Sequence, residues 1–170
     1  MSILNRYQHS QLNQQDAGGQ MAASHLTLPP PVEHPVQITA INARTVSRCL
    51  DLSFEDGRAV SLPFELLRVY SPSAEVRGHG EGQEVLQFGK RSVSIAGIEP
   101  VGNYAIKLLF TDGHSTGIYT WAYLYWLGLH HEQLWQHYMA RLHAAGFEGE
   151  TGRDFVPPSV APTSCSSSRN

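Results

Sequence analysis

Two short turns at matching positions constrain the fold of this chain more than any other feature. An Asp-Gly pair occurs at residues 56–57 and again at 112–113, each two residues after a phenylalanine. Glycine supplies the positive φ angle that a tight turn needs, and apolar residues alternate with polar ones on both sides. We therefore predict two antiparallel β-hairpins. Their strands are residues 50–54 and 59–62 in the first hairpin, and residues 106–110 and 114–119 in the second.

The residues after the second hairpin have a helical pattern. Thr120 can cap a helix that begins at Trp121, and Gly128 is a typical stop signal for it. A second helix is predicted over residues 131–145, and Gly146 ends it.

Further elements complete the predicted fold. A proline opens a short helix over residues 63–68. Additional strands are predicted at residues 92–98 and 38–43, and the glycine-rich residues 78–82 form a loop. Strands first and helices last are typical of an α+β fold. We expect two layers, in which antiparallel β-hairpins pack with C-terminal helices.

The two ends of the chain differ from the middle. Residues 1–35 are polar and finish in a proline-rich stretch, which predicts a disordered tail with an extended linker. Residues 148–170 are rich in Ser, Thr and Pro, and we expect a second disordered tail. The predicted folded domain is therefore residues 36–147.

Charge and hydropathy exclude several classes of protein. The chain has 12 Lys and Arg against 15 Asp and Glu, so it lacks the cationic surplus typical of nucleic-acid binding. No apolar run approaches the ~18 residues that span a bilayer, and the N-terminus lacks the apolar core of a signal peptide. We expect a soluble, cytoplasmic protein that binds neither nucleic acid nor membrane.

Motifs that resemble catalytic sites are each incomplete. A zinc-protease motif begins at His131, but Trp135 stands where its second histidine belongs. His79 and Glu81 have the spacing of an iron-oxygenase ligand pair, yet the chain has too few strands for the closed double sheet that carries the third ligand. Cys49 lies within a predicted strand, which favours a buried structural thiol. We therefore expect a non-enzymatic protein without a cofactor.

Aromatic side chains are dense near the C-terminal end of the predicted domain. They have too few cations beside them for base stacking. Two interpretations stay open: rings packed on the sheet, or an exposed patch that docks a partner protein. The set is Tyr119, Trp121, Tyr123, Tyr125, Trp126, Trp135 and Tyr138.

Three motifs occur together in a familiar order. They are Leu-Leu-Arg-Val-Tyr-Ser-Pro-Ser-Ala-Glu at 66–75, Ile-Glu-Pro-Val-Gly-Asn-Tyr-Ala at 98–105 and Asp-Gly-His-Ser-Thr-Gly-Ile-Tyr-Thr-Trp at 112–121. With these motifs the chain resembles the gamma-butyrobetaine hydroxylase-like N-terminal domain family, in its short stand-alone form. The resemblance implies an α+β domain without a known activity of its own. Similar domains precede the oxygenase domain in carnitine-pathway hydroxylases and follow the ATPase in some Mrp-type iron–sulfur carriers.

The resemblance also implies a zinc site that this chain has lost. In the hydroxylases a Cys-x-Cys-x-x-Cys motif and a later histidine bind structural zinc, and these positions are Ser71, Ser73, Val76 and His114 here. Only His114 is a strong ligand, because two hydroxyls and a valine cannot replace three thiolates. We expect hydrogen bonds and packing to hold the region instead.

The functional hypothesis is a non-catalytic accessory or protein-interaction module, linked to iron–sulfur assembly or to an oxygenase-type enzyme. The alternative is a metal-binding protein that uses His114 with an acidic neighbour. A protein partner is expected, without indication of its identity or of the oligomeric state. The predicted interaction or structural motif is Arg68, Glu75, Asp112, His114, Tyr119 and Trp121, in which Arg68 and Glu75 are the proposed partners of His114.

Overall fold

The computed structural model of the chain describes residues 36–78 and 84–156. The first sheet has the strand order β1 (Ile38–Arg44), β2 (Cys49–Phe54) and β3 (Ala59–Pro63), and the second has β4 (Ile95–Val101), β5 (Ala105–Phe110) and β6 (Ile118–Thr120). The helices are α1 (Phe64–Val69), α2 (Ala74–Arg77), α3 (Trp121–Ala144) and α4 (Thr151–Asp154). Both sheets are antiparallel throughout.

The first predicted hairpin is present as β2 and β3. Gly57 has φ +82° in the turn, and its N–H donates to the carbonyl of Phe54 at 3.0 Å. Leu52 pairs in register with Val60 on one side and with Ile41 on the other. The strand predicted at residues 38–43 is thus the edge strand β1.

The second sheet differs from the prediction in its pairing. Only Ile118–Thr120 returns along β5, while β5 also pairs with β4 through a turn in which Gly102 has φ +55°. After Phe110 the chain turns, with the N–H of Phe110 donating to the carbonyl of His114 at 2.9 Å, and then passes close to Ser71. A Cβ on Gly117 would lie 2.3 Å from the Ser71 hydroxyl, so this segment packs against another loop instead of forming a strand.

The predicted break in the long helix is wrong, because α3 continues through Gly128. A Cβ on Gly128 would lie 2.7–2.9 Å from the side chain of Val60. The glycine therefore lets α3 approach β3 closely, at a cost to helix stability of only about 1 kcal/mol. The predicted start is confirmed: the Thr120 hydroxyl accepts a hydrogen bond from the N–H of Tyr123 at 3.2 Å.

The core lies between the sheets, α1 and α3. Alternate residues of β2 and β5 are buried, as expected for strands with one face on the core. The predicted α+β fold, with antiparallel hairpins and a C-terminal helix packed on strands, is confirmed. Its largest fully buried side chains are Tyr119, Tyr138, Phe64, Leu50, Leu52, Leu62, Leu66, Leu67, Leu108, Leu124, Leu127 and Leu134.

The C-terminal boundary of the domain needs correction. Residues 148–156, assigned to a disordered tail from the sequence, pack on the domain and contain α4. The Arg153 guanidinium bonds to the buried carboxylate of Glu65, a contact that composition does not reveal. The predicted tails at 1–35 and 157–170, and most of the predicted loop at 78–82, lie outside the described residues. In the part of the chain that the structure describes, every helix is too short or too polar to cross a bilayer.

Candidate functional site

His114 is the centre of a polar cluster in which the imidazole and Ser71 are buried, while Glu75 of α2 is exposed. Its Nε2 lies 2.8 Å from the Ser71 hydroxyl, and its Nδ1 lies 3.3 Å from a carboxylate oxygen of Glu75. The carboxylate can only accept, so Nδ1 carries the proton, and in the neutral ring Nε2 accepts from the serine. Burial lowers the pKa of His114, and the positive charge of Arg68 lowers it further. The neutral ring therefore links the loop after β5 to the segment between α1 and α2.

Arg68 joins the same region through Asp112 rather than through His114. Its Nε donates to the two oxygens of Asp112 at 2.9 and 3.2 Å, and its Nη1 donates to the side-chain carbonyl of Gln87 at 3.1 Å. Lys90 reaches the same Asp112 carboxylate at 2.7 Å. Burial acts to raise the pKa of Asp112, but the hydrogen bond from Lys90 and the charges of Arg68 and Lys90 together lower it.

Four sequence-predicted residues are thus brought together, although not all as direct partners. Glu75 contacts His114 as proposed, whereas Arg68 acts on it only through charge. Lys90 and Gln87 were missed, because neither lies in the three motifs from which the site was predicted. Only tertiary packing places Lys90 beside Asp112 and Gln87 beside Arg68.

The positions that correspond to zinc ligands do not fit zinc. Ser71 and His114 bond to each other directly, the Ser73 hydroxyl is buried without a hydrogen-bond partner, and Val76 is buried and apolar. One imidazole and two neutral hydroxyls lack the thiolates that give such a site its affinity. Within residues 36–78 and 84–156, no three His, Cys, Asp or Glu side chains are grouped to hold a metal ion.

Tyr119 and Trp121 have structural positions. Tyr119 is fully buried and its hydroxyl donates to the carbonyl of Leu67 at 2.7 Å. Trp121 is 9% exposed and its indole N–H donates to the carbonyl of Asn103 at 2.8 Å. The open question about the aromatic residues is therefore answered for these two: they pack in the core and do not form an exposed patch.

The outer surface of the second sheet carries an exposed apolar side chain, Ile118. Glu99 and Ile118 flank Lys107 in register on the second sheet, and Leu109 follows on the same face two residues along β5. Ile118 is 46% exposed, and Lys107 forms an ion pair with Glu99 at 2.6 Å. These four residues define the outer face of the second sheet.

The outer face of the first sheet is polar in comparison. Arg44 donates to Asp51 at 2.9 Å and to the hydroxyl of Ser61 at 3.1 Å. These three polar side chains are hydrogen-bonded to one another and need no partner protein to satisfy them. The apolar side chains on the outer face of the second sheet form no such hydrogen bonds.

Fold and site together define a small α+β domain whose central polar side chains are hydrogen-bonded or ion-paired with one another. The model of the family described as gamma-butyrobetaine hydroxylase-like, N-terminal, matches residues 41–125, half of the chain. The chain belongs to this family.

Solved structures are similar over most of the chain. One protein with an NMR solution structure is 48% identical, with a TM-score of 0.61 over 71% of this chain and 89% of its own. A second is 43% identical, with a TM-score of 0.62 over 76% and 99%. A crystal structure from Acidithiobacillus ferrooxidans, described as a DUF971 family protein with unknown function, is 39% identical over 54% and 92%, with a TM-score of 0.46. No curated protein matches the chain.

Proposed function

We propose that the chain is a non-catalytic protein-interaction module of the cytoplasm, an accessory to iron–sulfur assembly or to an oxygenase-type enzyme. The pathway rests on the resemblance to domains that accompany such proteins. The interaction role rests on the surface of the domain.

The central polar cluster argues against catalysis at that position. Asp112 is engaged by Arg68 and Lys90, and both ring nitrogens of His114 have partners. The order Ser71, His114, Glu75 is that of a serine–histidine–carboxylate set, but a nucleophile and its base must reach a substrate. Here Ser71 is only 1% exposed and His114 only 7% exposed. This arrangement supports a structural role for the cluster.

The outer face of the second sheet is the observation that carries the interaction role. A half-exposed Ile118 lies beside the ion pair of Lys107 and Glu99. Leu109, partly buried against Gly97, is the next residue of β5 on this face. Apolar anchors with charges at their rim are typical of transient protein interfaces. The polar outer face of the first sheet has no such anchors.

The test compares the two faces in the full-length chain. Ile118→Asp places a charge on the proposed face, and Ala59→Asp places the same charge at an exposed position of the first sheet. Proteins retained from cell extract by immobilised chain are quantified after both variants are checked for unchanged melting.

We expect the parent and Ala59→Asp to retain at least one protein, and Ile118→Asp to retain at least about tenfold less of it. Burying an unpaired charge in the interface costs more than about 1.4 kcal/mol, which corresponds to a tenfold loss of affinity. Equal retention by all three chains, or no retained protein, would contradict the proposal.

A further inference from the structure

Residues 147–156, called the strap here, cross the surface of the domain and bind it through the backbone. Gly89 donates its N–H to the carbonyl of Gly152 at 2.8 Å, and Arg91 donates to the carbonyl of Arg153 at 3.1 Å. A Cβ on Gly152 would lie 2.8 Å from the side chain of Leu142. The strap is therefore seated closely enough to deliver the Arg153 side chain into the domain.

The cleft that receives Arg153 has the chemistry of a guanidinium site. Its floor is Glu65, only 5% exposed, which accepts from Arg153 Nε at 2.9 Å and from Nη2 at 2.6 Å. The guanidinium carbon lies 4.7 Å from the centre of the Trp135 ring. A forked pair to a carboxylate combined with stacking on an aromatic ring recognises arginine and not lysine.

The cleft also holds the hydroxyl of Tyr138, which is buried beside Glu65. Burial raises the pKa of Tyr138, and the negative charge of Glu65 raises it further. The hydroxyl therefore stays protonated and adds a second polar group to the cleft next to the carboxylate.

Besides its arginine, the strap is held by the two backbone hydrogen bonds, by the rings of Phe147 and Phe155 against Phe88, and by exposed ion pairs. Arg91 pairs with Glu150 and Asp154, whose side chains are more than half exposed, and exposed pairs of this kind contribute little. The strap follows Gly146, and it contains Gly149. Both have positive φ and open space around the Cβ position. These features make the strap a segment that another peptide can displace.

We propose that the cleft formed by Glu65, Trp135 and Tyr138 is a binding site for an arginine side chain, which the strap fills in cis. The occupant in trans is a partner segment with the charge pattern of the strap: an arginine with acidic residues three positions before it and one position after it. Arg91 would bind those acidic residues as it binds Glu150 and Asp154. This site is separate from the outer face of the second sheet.

A peptide of residues 147–156 tests the proposal on the full-length chain. Its affinity is measured calorimetrically for the parent and for the Arg153→Ala variant, and a peptide with Arg153→Lys is the control. We expect the variant to bind the peptide about tenfold or more tightly than the parent, because the linked strap competes at a millimolar effective concentration. The lysine peptide should bind about tenfold or more weakly.

Several results would overturn this proposal. Equal affinity of parent and variant would mean that the strap does not block the cleft, and equal affinity of the two peptides would mean that no guanidinium is recognised. A parent dimer that the peptide dissociates would place the strap of a second copy in the cleft. If Arg153→Ala does not fold, Arg153→Lys replaces it. Ile118→Asp should bind the peptide as the parent does, which separates this test from that of the proposed function.

Discussion

Helix α1 carries two buried charges of opposite sign, Glu65 and Arg68, that bond in different directions. They are three residues apart, yet neither has the other as its partner. Arg68 pairs with Asp112 on the loop after β5, and Lys90 shares that carboxylate. Glu65 pairs with Arg153 of the strap, 88 residues away.

The two regions differ in the number of cationic side chains that contact the buried carboxylate. The Asp112 carboxylate has two cationic partners, Arg68 of α1 and Lys90 of the segment before β4. Among the described residues, the Glu65 carboxylate has one cationic partner, Arg153 of the C-terminal segment. We expect the Asp112 carboxylate, with two cationic partners, to stabilise the fold. We expect the Glu65 carboxylate, with one partner from the C-terminal segment, to be able to exchange that partner.

The largest effect is expected for Asp112→Ala. Arg68, whose side chain is only 8% exposed, then loses its carboxylate, and we expect the free energy of unfolding to fall by about 3–5 kcal/mol. Urea denaturation measures it. Glu99→Ala, which removes an exposed partner from Lys107, is the control and should cost less than about 1 kcal/mol. Similar losses in both variants would show that the central network does not hold the fold.

A smaller loss is expected for Arg153→Ala. The strap can leave and water can then reach Glu65, so the cost is that of the lost charged hydrogen bonds, about 1–3 kcal/mol. Arg91→Ala removes only the exposed pairs of the strap and should cost less than about 1 kcal/mol. The same denaturation experiment serves here. A loss as large as that of Asp112→Ala would remove the distinction between the two regions.

Acid should weaken the interactions of His114 and Asp112, while Arg153 stays charged. Because the pKa of His114 is lowered in the fold, the unfolded chain binds the proton more strongly, and stability falls as the pH drops below the ordinary value of 6.5. The lowered pKa of Asp112 adds a further loss only below its ordinary 3.8. The pKa of His137 is also lowered, by burial and by Arg141, so part of the first loss has a second source.

His114→Gln isolates the contribution of His114 to this pH dependence. Denaturation of parent and variant at about pH 7.5 and about pH 5 should show a smaller loss in the variant. An equal loss would assign the dependence to other groups.

The smallest effect is expected from metal removal. A chelator should change the melting temperature of tag-free protein by less than about 1 °C, since losing even 1 kcal/mol shifts a domain of this size by several degrees. The metal-binding alternative expects the opposite: a stoichiometric ion that is lost in His114→Ala. Elemental analysis of both proteins distinguishes the two.

Local chemistry was enough to predict part of the fold. The Asp-Gly turn at residues 56–57 and the cap at Thr120 each act within a few residues, and both are present. Gly128 misled the prediction because its role depends on Val60, which lies on a distant strand. A glycine that ends a helix and one that admits a neighbour look alike in sequence.

The candidate site was predictable to the same extent. The turn that carries Asp112 and His114, and the nearby Glu75, followed from motifs, and the structure brings them together. Lys90 and Arg153 could not be found in this way, because only tertiary packing brings them to their carboxylates. The surface on the second sheet likewise depends on the pairing of β4 with β5, which local residue patterns do not specify.

Helix α3 has a mechanical consequence for the whole domain. No described strand of one sheet pairs with a strand of the other, while α3 continues directly from β6 at Thr120 and touches β3 at Gly128. The helix therefore connects two sheets that share a core but have no pairing between their described strands. A bulkier residue at position 128 would push α3 away from β3 and change the angle between the two sheets. The hydrogen bonds between the strands of each sheet would stay intact.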